Sequence, residues 1–199
     1  MLEDPNFKKS YIVGLDGFTY ADLERAYASF LSKEYNNESH VVIDGIEKFQ
    51  LTKSDALHIL AYTGHSSMWI NAKIRENNLD RNCNIFIKNL DRALDKIPPA
   101  NNIKLFHMTN DLWEGMIEGS IIKIPNYLST SIEDYKNSEV VLKLQTARKG
   151  SKARDISTIS NNKYELEYLF LRGASFRVLR IEKIGKITYV ELVEYANMV

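Results

Sequence analysis

The chain has a single cysteine, Cys83, in 199 residues, so no disulfide can form within it. Reduced proteins and disulfide-free exported ones share that feature, and the compartment stays open. No apolar run approaches the roughly 20 residues of a membrane span. The N-terminal stretch MLEDPNFKKSYIVG has no long apolar core, so it does not read as a signal peptide. Neither sign of charge is in excess, with 26 basic side chains against 26 acidic ones. Bulk attraction to nucleic acid or to an anionic membrane is therefore not expected. No G-x-G-x-x-G follows a strand pattern and there is no Walker loop, which argues against Rossmann and P-loop nucleotide binding. His58 and His65 have no H-x-x-x-H partner and no cysteine cluster beside them, so no metal is expected. Internal repeats and low-complexity linkers are also missing.

The remaining composition is that of a globular domain, with 44% hydrophobic and 26% charged residues in a length able to bury a sizeable core. Pro98 and Pro99 divide its character. Before them the pattern is helical. Thr19 suits an N-cap, with Leu23, Tyr27, Phe30 and Leu31 as the apolar stripe that follows. Thr52 and Asp55 have capping-box spacing and open a second helix that Gly64 is expected to break. A third runs over about 66–76, with Trp69, Ile70 and Ile74 inward. A fourth starts near Asn82, on a stripe of Cys83, Phe86, Ile87, Leu90, Leu94 and Ile97, and stops at the prolines. Cys83 on that stripe reads as a small buried hydrophobe.

After the prolines the pattern alternates. Strands are expected over 103–108, 120–124, 127–131, 139–145, 165–171, 176–184 and 186–193, the last two forming a hairpin near Gly185. A short helix is expected over 111–117. Helices first and strands after indicate an α+β fold. The helices need the strands to cover their stripes, so the chain reads as one domain over 1–199, with 1–50 as a helical lead and 51–199 as the core.

One stretch is unusual. In YELEYLFLRG, Glu165 and Glu167 stand at alternate positions of a predicted strand and would face the same way. Like charges on one face repel, so folding does not recommend them, whereas two carboxylates facing one pocket suit chemistry. In isolation, an E-x-E is more simply a solvated strand face. Further patterns precede it in order: YTG, then IN with an arginine four residues after the asparagine; LFH in a short strand; YLSTS; and GSKARDIS.

This series resembles the mono-ADP-ribosyltransferases of the Arg-Ser-Glu toxin class, which includes clostridial binary-toxin enzyme components and C3-like exoenzymes. The resemblance spans about Leu51 to Val199. It implies an N-terminal helical lobe packed on two antiparallel β-sheets that form an NAD cleft. It implies NAD as co-substrate, a protein acceptor and a glycosyltransferase reaction. By matching position, Glu167 is the catalytic glutamate, Glu165 handles the acceptor, and Ser129 supports Glu167. Asn71 and Arg75 contact NAD phosphate and ribose, and 159–164 is the substrate-recognition loop. Glu rather than Gln at position 165 implies arginine as acceptor. Tyr62 could stack on adenine or nicotinamide, although a helical aromatic is more often packing.

The largest departure is His107, where the class has an arginine that anchors NAD. A neutral histidine can donate to a ribose hydroxyl but offers little to a diphosphate. Three readings stand together. His107 serves the ribose, as a histidine does in the diphtheria-toxin-like class; Arg75, with Arg148 or Arg154, carries the phosphate; or activity is weakened. The rivals to a transferase are an NAD glycohydrolase and a degenerate module that docks a partner. A monomer is expected, acting as a secreted or injected effector or inside a bacterial or phage-infected cell.

Overall fold

Thr52 opens the first well-defined helix as its spacing predicts. Its hydroxyl accepts from the Asp55 amide at 3.2 Å, and the Asp55 carboxylate accepts from the Thr52 amide at 2.9 Å. Such a reciprocal cap satisfies two orphan donors and is worth about 1 kcal/mol. The structure, a computed structural model, describes residues 19–21, 24–25, 45–135, 138–160 and 166–195. The stripe predicted at Leu23, Tyr27, Phe30 and Leu31 lies outside them. The chain forms two compact units, one of Met1–Ile97 with Thr158–Lys163 and one of Pro98–Ser157 with Tyr164–Val199.

In the helical unit, α1 (Lys53–Ala61) does not end at Gly64. It widens into a π-helical turn, Tyr62–Ser66, and continues as α2 (Ser67–Arg75). Glycine loosens the turn without stopping it, because the flanking residues keep helical dihedrals. α3 (Arg81–Asp95) is capped by Asp80, whose carboxylate accepts from the Cys83 amide at 2.8 Å. Its predicted stripe is buried, with Phe86, Leu90 and Leu94 fully enclosed. Cys83 is buried too, and burial pushes its thiol up to about 11. Asp55 has no exposed side-chain surface, and it ties α1 to α3 through Lys96 at 2.6 Å and Arg92 at 2.9 Å. His58 is also enclosed: its Nδ1–H donates to the Ser54 carbonyl, and its Nε2 accepts from Asn89. In this unit Gly45 meets Thr158 and Ile159 so closely that an added Cβ would lie 2.4 Å from Ile159 Cγ2.

The strand unit contains β1 (Lys104–Thr109), β2 (Ile121–Ile124), β3 (Leu128–Ser131), β4 (Val140–Gln145), β5 (Ala153–Asp155), β6 (Glu167–Phe170), β7 (Ala174–Ile184) and β8 (Ile187–Glu194). Their order across the sheet is β2-β7-β8-β4-β1-β3-β6-β5. The α+β class stands. Two details differ from expectation. The strands form one hydrogen-bonded order, because the pair Phe106–Ser131 joins β1 to β3. Within it, β4 and β8 run parallel while every other pairing is antiparallel. The helix expected over 111–117 is instead a pair of turns, at Gly115 and Gly119, with φ of 81° and 85°. The Gly185 hairpin forms as predicted, with φ 62° at its turn. Leu105, Leu142, Phe170, Phe176 and Val190 centre the core of this unit. No helix among the described residues is long and apolar enough to cross a membrane.

Candidate active site

Three neighbouring strands bring three of the predicted residues together. β1, β3 and β6 lie side by side and carry His107, Ser129 and Glu167. The Ser129 hydroxyl donates to Glu167 Oε1 at 2.7 Å. The Ser129 carbonyl accepts from His107 Nδ1, also at 2.7 Å. A single residue thus holds both neighbours, one by its side chain and one by its backbone.

Strand alternation explains the S-T-S pattern. Ser129 lies on the open face, and Thr130 turns the other way and is buried. The Thr130 hydroxyl donates to the Tyr168 carbonyl at 2.7 Å, which fastens β3 to β6. Ser131 pairs with Glu167 in register, and its hydroxyl accepts from the Glu133 amide at 3.1 Å, turning the chain after the strand. Glu167 itself is 4% exposed. A buried carboxylate needs hydrogen-bond donors, and Ser129 supplies one in a fixed direction.

At His107 a carbonyl can only accept, so Nδ1 carries the proton. Burial lowers the pKa of this ring below its usual 6.5, against the opposing pull of the Ser129 bond. The neutral ring therefore offers Nε2 as an acceptor. The expectation at this position was of a donor; with Nδ1–H engaged by Ser129, the neutral ring can only accept at Nε2. Trp113 packs partly against the core of the strand unit and also against the imidazole, with ring centroids 5.4 Å apart.

The GSKARDIS lead-in is structural. Glu194 accepts from the amides of Ala147 and Lys152 at 2.8 and 2.7 Å. The Lys152 ammonium donates to the carbonyls of Arg172 and Gly173. Arg154 is buried and donates to the carbonyls of Ser151 and Ala153. These bonds engage Arg154 Nη1 close to its own strand, whereas Arg148 is exposed. Asp155 accepts from the Ser157 amide and hydroxyl. Burial, and then the Asp155 charge, raise the pKa of Tyr168 beside it.

A sequence model of the ADP-ribosyltransferase exoenzyme family matches residues 33–196. The chain belongs to this family. Its fold resembles that of Plx2a, an ADP-ribosyltransferase toxin from Paenibacillus larvae, at 21% identity over 80% of this chain and 95% of that one, with a TM-score of 0.68. The C3 exoenzyme of Clostridium limosum matches at 20% identity over 82% and 97%, with a TM-score of 0.67. Exoenzyme S from Pseudomonas aeruginosa, solved with a human 14-3-3 protein and carba-NAD, matches at 22% over 86% and 88%, with a TM-score of 0.66. At these identities the likeness establishes the ADP-ribosyltransferase fold. No curated protein sequence matches the chain.

The other residues predicted for this exoenzyme are on other elements. Asn71 and Arg75 are on α2 of the helical unit. Asn71 Nδ2 donates to the Tyr62 hydroxyl at 2.9 Å, and its Oδ1 is buried with no hydrogen-bond partner among the described residues. Tyr62 is 1% exposed, so it packs and does not present a stacking face. Arg75 ends α2 and is exposed. Glu165 lies outside the described residues. Within the described residues β6 starts at Glu167, and Leu166 before it has a φ of 44°, which is not extended backbone. Sequence reasoning missed Thr130, Tyr168 and Leu166 as parts of this site. For Thr130 the signal was present, since a β-branched hydroxyl between two serines must face the opposite side of the strand.

Proposed function

We propose that this exoenzyme transfers ADP-ribose from NAD to a protein side chain, arginine being the acceptor, and releases nicotinamide. The observation that carries the reading is the buried Glu167 carboxylate, held at 2.7 Å by Ser129. The carba-NAD in the exoenzyme S structure supports NAD as the co-substrate. In the reaction, the bond from ribose C1′ to the nicotinamide nitrogen breaks. Its electron pair leaves with nicotinamide, whose ring becomes neutral, and positive charge builds on the ribose, as in glycoside hydrolysis. Glu167 stabilises that charge, more in the transition state than in the ground state.

His107 Nε2 accepts from a ribose hydroxyl in this scheme. The motif match assigns Asn71 to NAD contact. Arg75, exposed and without hydrogen bond or ion pair to the described residues, takes the diphosphate with its planar fork. A nitrogen of the acceptor guanidinium forms the new bond to C1′ and loses a proton to Glu165. Residues 1–199 act as one transferase domain, with 1–50 as the lead and 51–199 as the core. The relatives described as toxins support a delivered effector as its setting. Incubation with NAD and agmatine, a small guanidine, tests the acceptor class by mass spectrometry. An ADP-ribosylated guanidine supports the reading; free ADP-ribose alone, or adducts confined to cysteine or asparagine in a protein mixture, contradicts it.

A further inference from the structure

The 26 basic and 26 acidic side chains cancel over the chain, but they are not evenly spread in the strand unit. In the run β2-β7-β8-β4-β1, one end is where β2, β8 and β4 finish and β7 and β1 begin. Register sets Ile121, Arg177, Val193, Gln145 and Lys104 in one row across these strands. Alternation puts that row on the face turned away from the core residues Ile122, Phe176, Leu192, Leu144 and Leu105. Lys123 pairs with Ser175 in the next row outward, where the Tyr195 amide donates to the Ser175 carbonyl at 2.8 Å. The turn after β4 adds Arg148 and Lys149.

Lys104, Lys123, Arg148, Lys149 and Arg177 are all exposed. Among the described residues, the first four have no side-chain hydrogen bond and no ion pair. Arg177 lies over the ring of Tyr195, 5.8 Å from its centroid, and that tyrosine is itself exposed. Lys123 and Lys152 flank Gly173: a Cβ added there would be 3.5 Å from Lys123 Cε and 3.5 Å from Lys152 Nζ. Two carboxylates of the described residues are near, and neither offsets this charge. Glu194 is on the core face, buried, and spent on the amides of Ala147 and Lys152. Glu191 is one row further in, between Lys143 and Arg180. Like charges gathered without counter-charge repel, so the fold gains nothing from them.

We propose that this end of the sheet is a peripheral docking surface for anionic lipid headgroups, held by Lys104, Lys123, Arg148, Lys149 and Arg177 with Tyr195 among them. The cations reach from β2 to β1, four strand spacings, or about 19 Å. A single phosphate or a nucleotide is held by a concave cluster, whereas cations spread this widely match a plane of negative charge. An exposed tyrosine suits the boundary between headgroups and water. The inference stands apart from the transferase reading and makes no use of Glu167.

The test is sedimentation of the whole chain with vesicles of phosphatidylcholine, alone or with about 30% phosphatidylserine. The wild type should bind the phosphatidylserine vesicles at about 50 mM salt, leave them at about 500 mM, and ignore pure phosphatidylcholine. Each cation removed near an anionic surface should weaken binding about fivefold, so Lys104→Gln, Lys123→Gln and Lys149→Gln combined should lose about 100-fold. Lys88→Gln, Lys183→Gln and Lys186→Gln combined change the net charge equally at exposed positions elsewhere, and binding should stay within about threefold of the wild type. Absence of binding by the wild type, binding that ignores phosphatidylserine, or equal losses in the two triple variants overturns the proposal. Retention on polyglutamate without vesicle binding assigns the surface to an acidic protein and overturns the lipid reading. Should the first triple variant not fold, Lys149→Gln on the exposed turn decides alone: a loss of about fivefold supports the proposal, and unchanged binding overturns it.

Discussion

The hydroxyl of Ser129 donates to Glu167 at 2.7 Å, and the carbonyl of the same residue accepts from His107 at 2.7 Å. Replacing the hydroxyl by hydrogen in Ser129→Ala leaves the His107 contact intact and frees Glu167 to rotate. Nicotinamide release should lose about 10- to 100-fold in kcat with little change in KM, because the missing bond serves the transition state. The unfolding midpoint should fall modestly, since the buried Glu167 carboxylate loses a donor. A raised KM at unchanged kcat would mean that Ser129 binds substrate instead.

His107 gives activity a pH dependence of fixed sign. Protonation turns Nε2 from an acceptor into a donor. Burial keeps the pKa below 6.5, so the ring is neutral at pH 7 and the acceptor is present. kcat/KM for NAD should fall as pH drops through that lowered value, and His107→Gln, which cannot ionise, should flatten this limb. Stability follows the same sign. The unfolded ring, near 6.5, takes up protons more readily than the folded one, so this contribution is present above 6.5 and is lost as pH falls toward the folded value. An acid limb that survives unchanged in the glutamine variant assigns it to another group.

Asp55 gives the helical unit a different acid response. Burial pushes its pKa up, but hydrogen bonds from Lys96, Thr52 and Arg92 outweigh that and bring it from 3.8 down to about 2. Its contribution, on the order of 2 kcal/mol, is present above pH 3.8 and is lost as pH falls through about 2. Asp55→Asn should therefore lower the unfolding midpoint at pH 7 and narrow its gap to the wild type near pH 2. A constant gap across that range would remove the ion pairs from the account.

Glu165→Gln separates the two carboxylates. Transfer to agmatine should fall far more than NAD hydrolysis, because the amide cannot take the guanidinium proton while Glu167 keeps its place. Parallel losses in the two assays would deny Glu165 a separate role.

Much of this was legible from local patterns. The capping box at Thr52 and Asp55, the stripe of α3 and the Gly185 hairpin each depend on residues a few positions apart, and the folded chain repeats them. Ser129 and Glu167 were legible because two short motifs fell in a known order. What escaped was set by pairing across the sheet or by a single dihedral. The parallel contact of β4 with β8 joins strands far apart in sequence. Strand β5, at Ala153–Asp155, is too short to show alternation. The acceptor role of His107 depends on which ring nitrogen meets the Ser129 carbonyl, and no sequence pattern encodes that. Leu166 fell within the expected strand 165–171 because nothing in its side chain announces a positive φ.

The central claim is that Glu167 drives cleavage of NAD. The most direct measurement is the rate of nicotinamide release from NAD by the wild type and by Glu167→Gln, which keeps the size and the Ser129 contact but removes the charge. The wild type should release nicotinamide, and the variant should be slower by about 10³-fold while still binding NAD. A variant that matches the wild type, or a wild type that releases no nicotinamide, would contradict it.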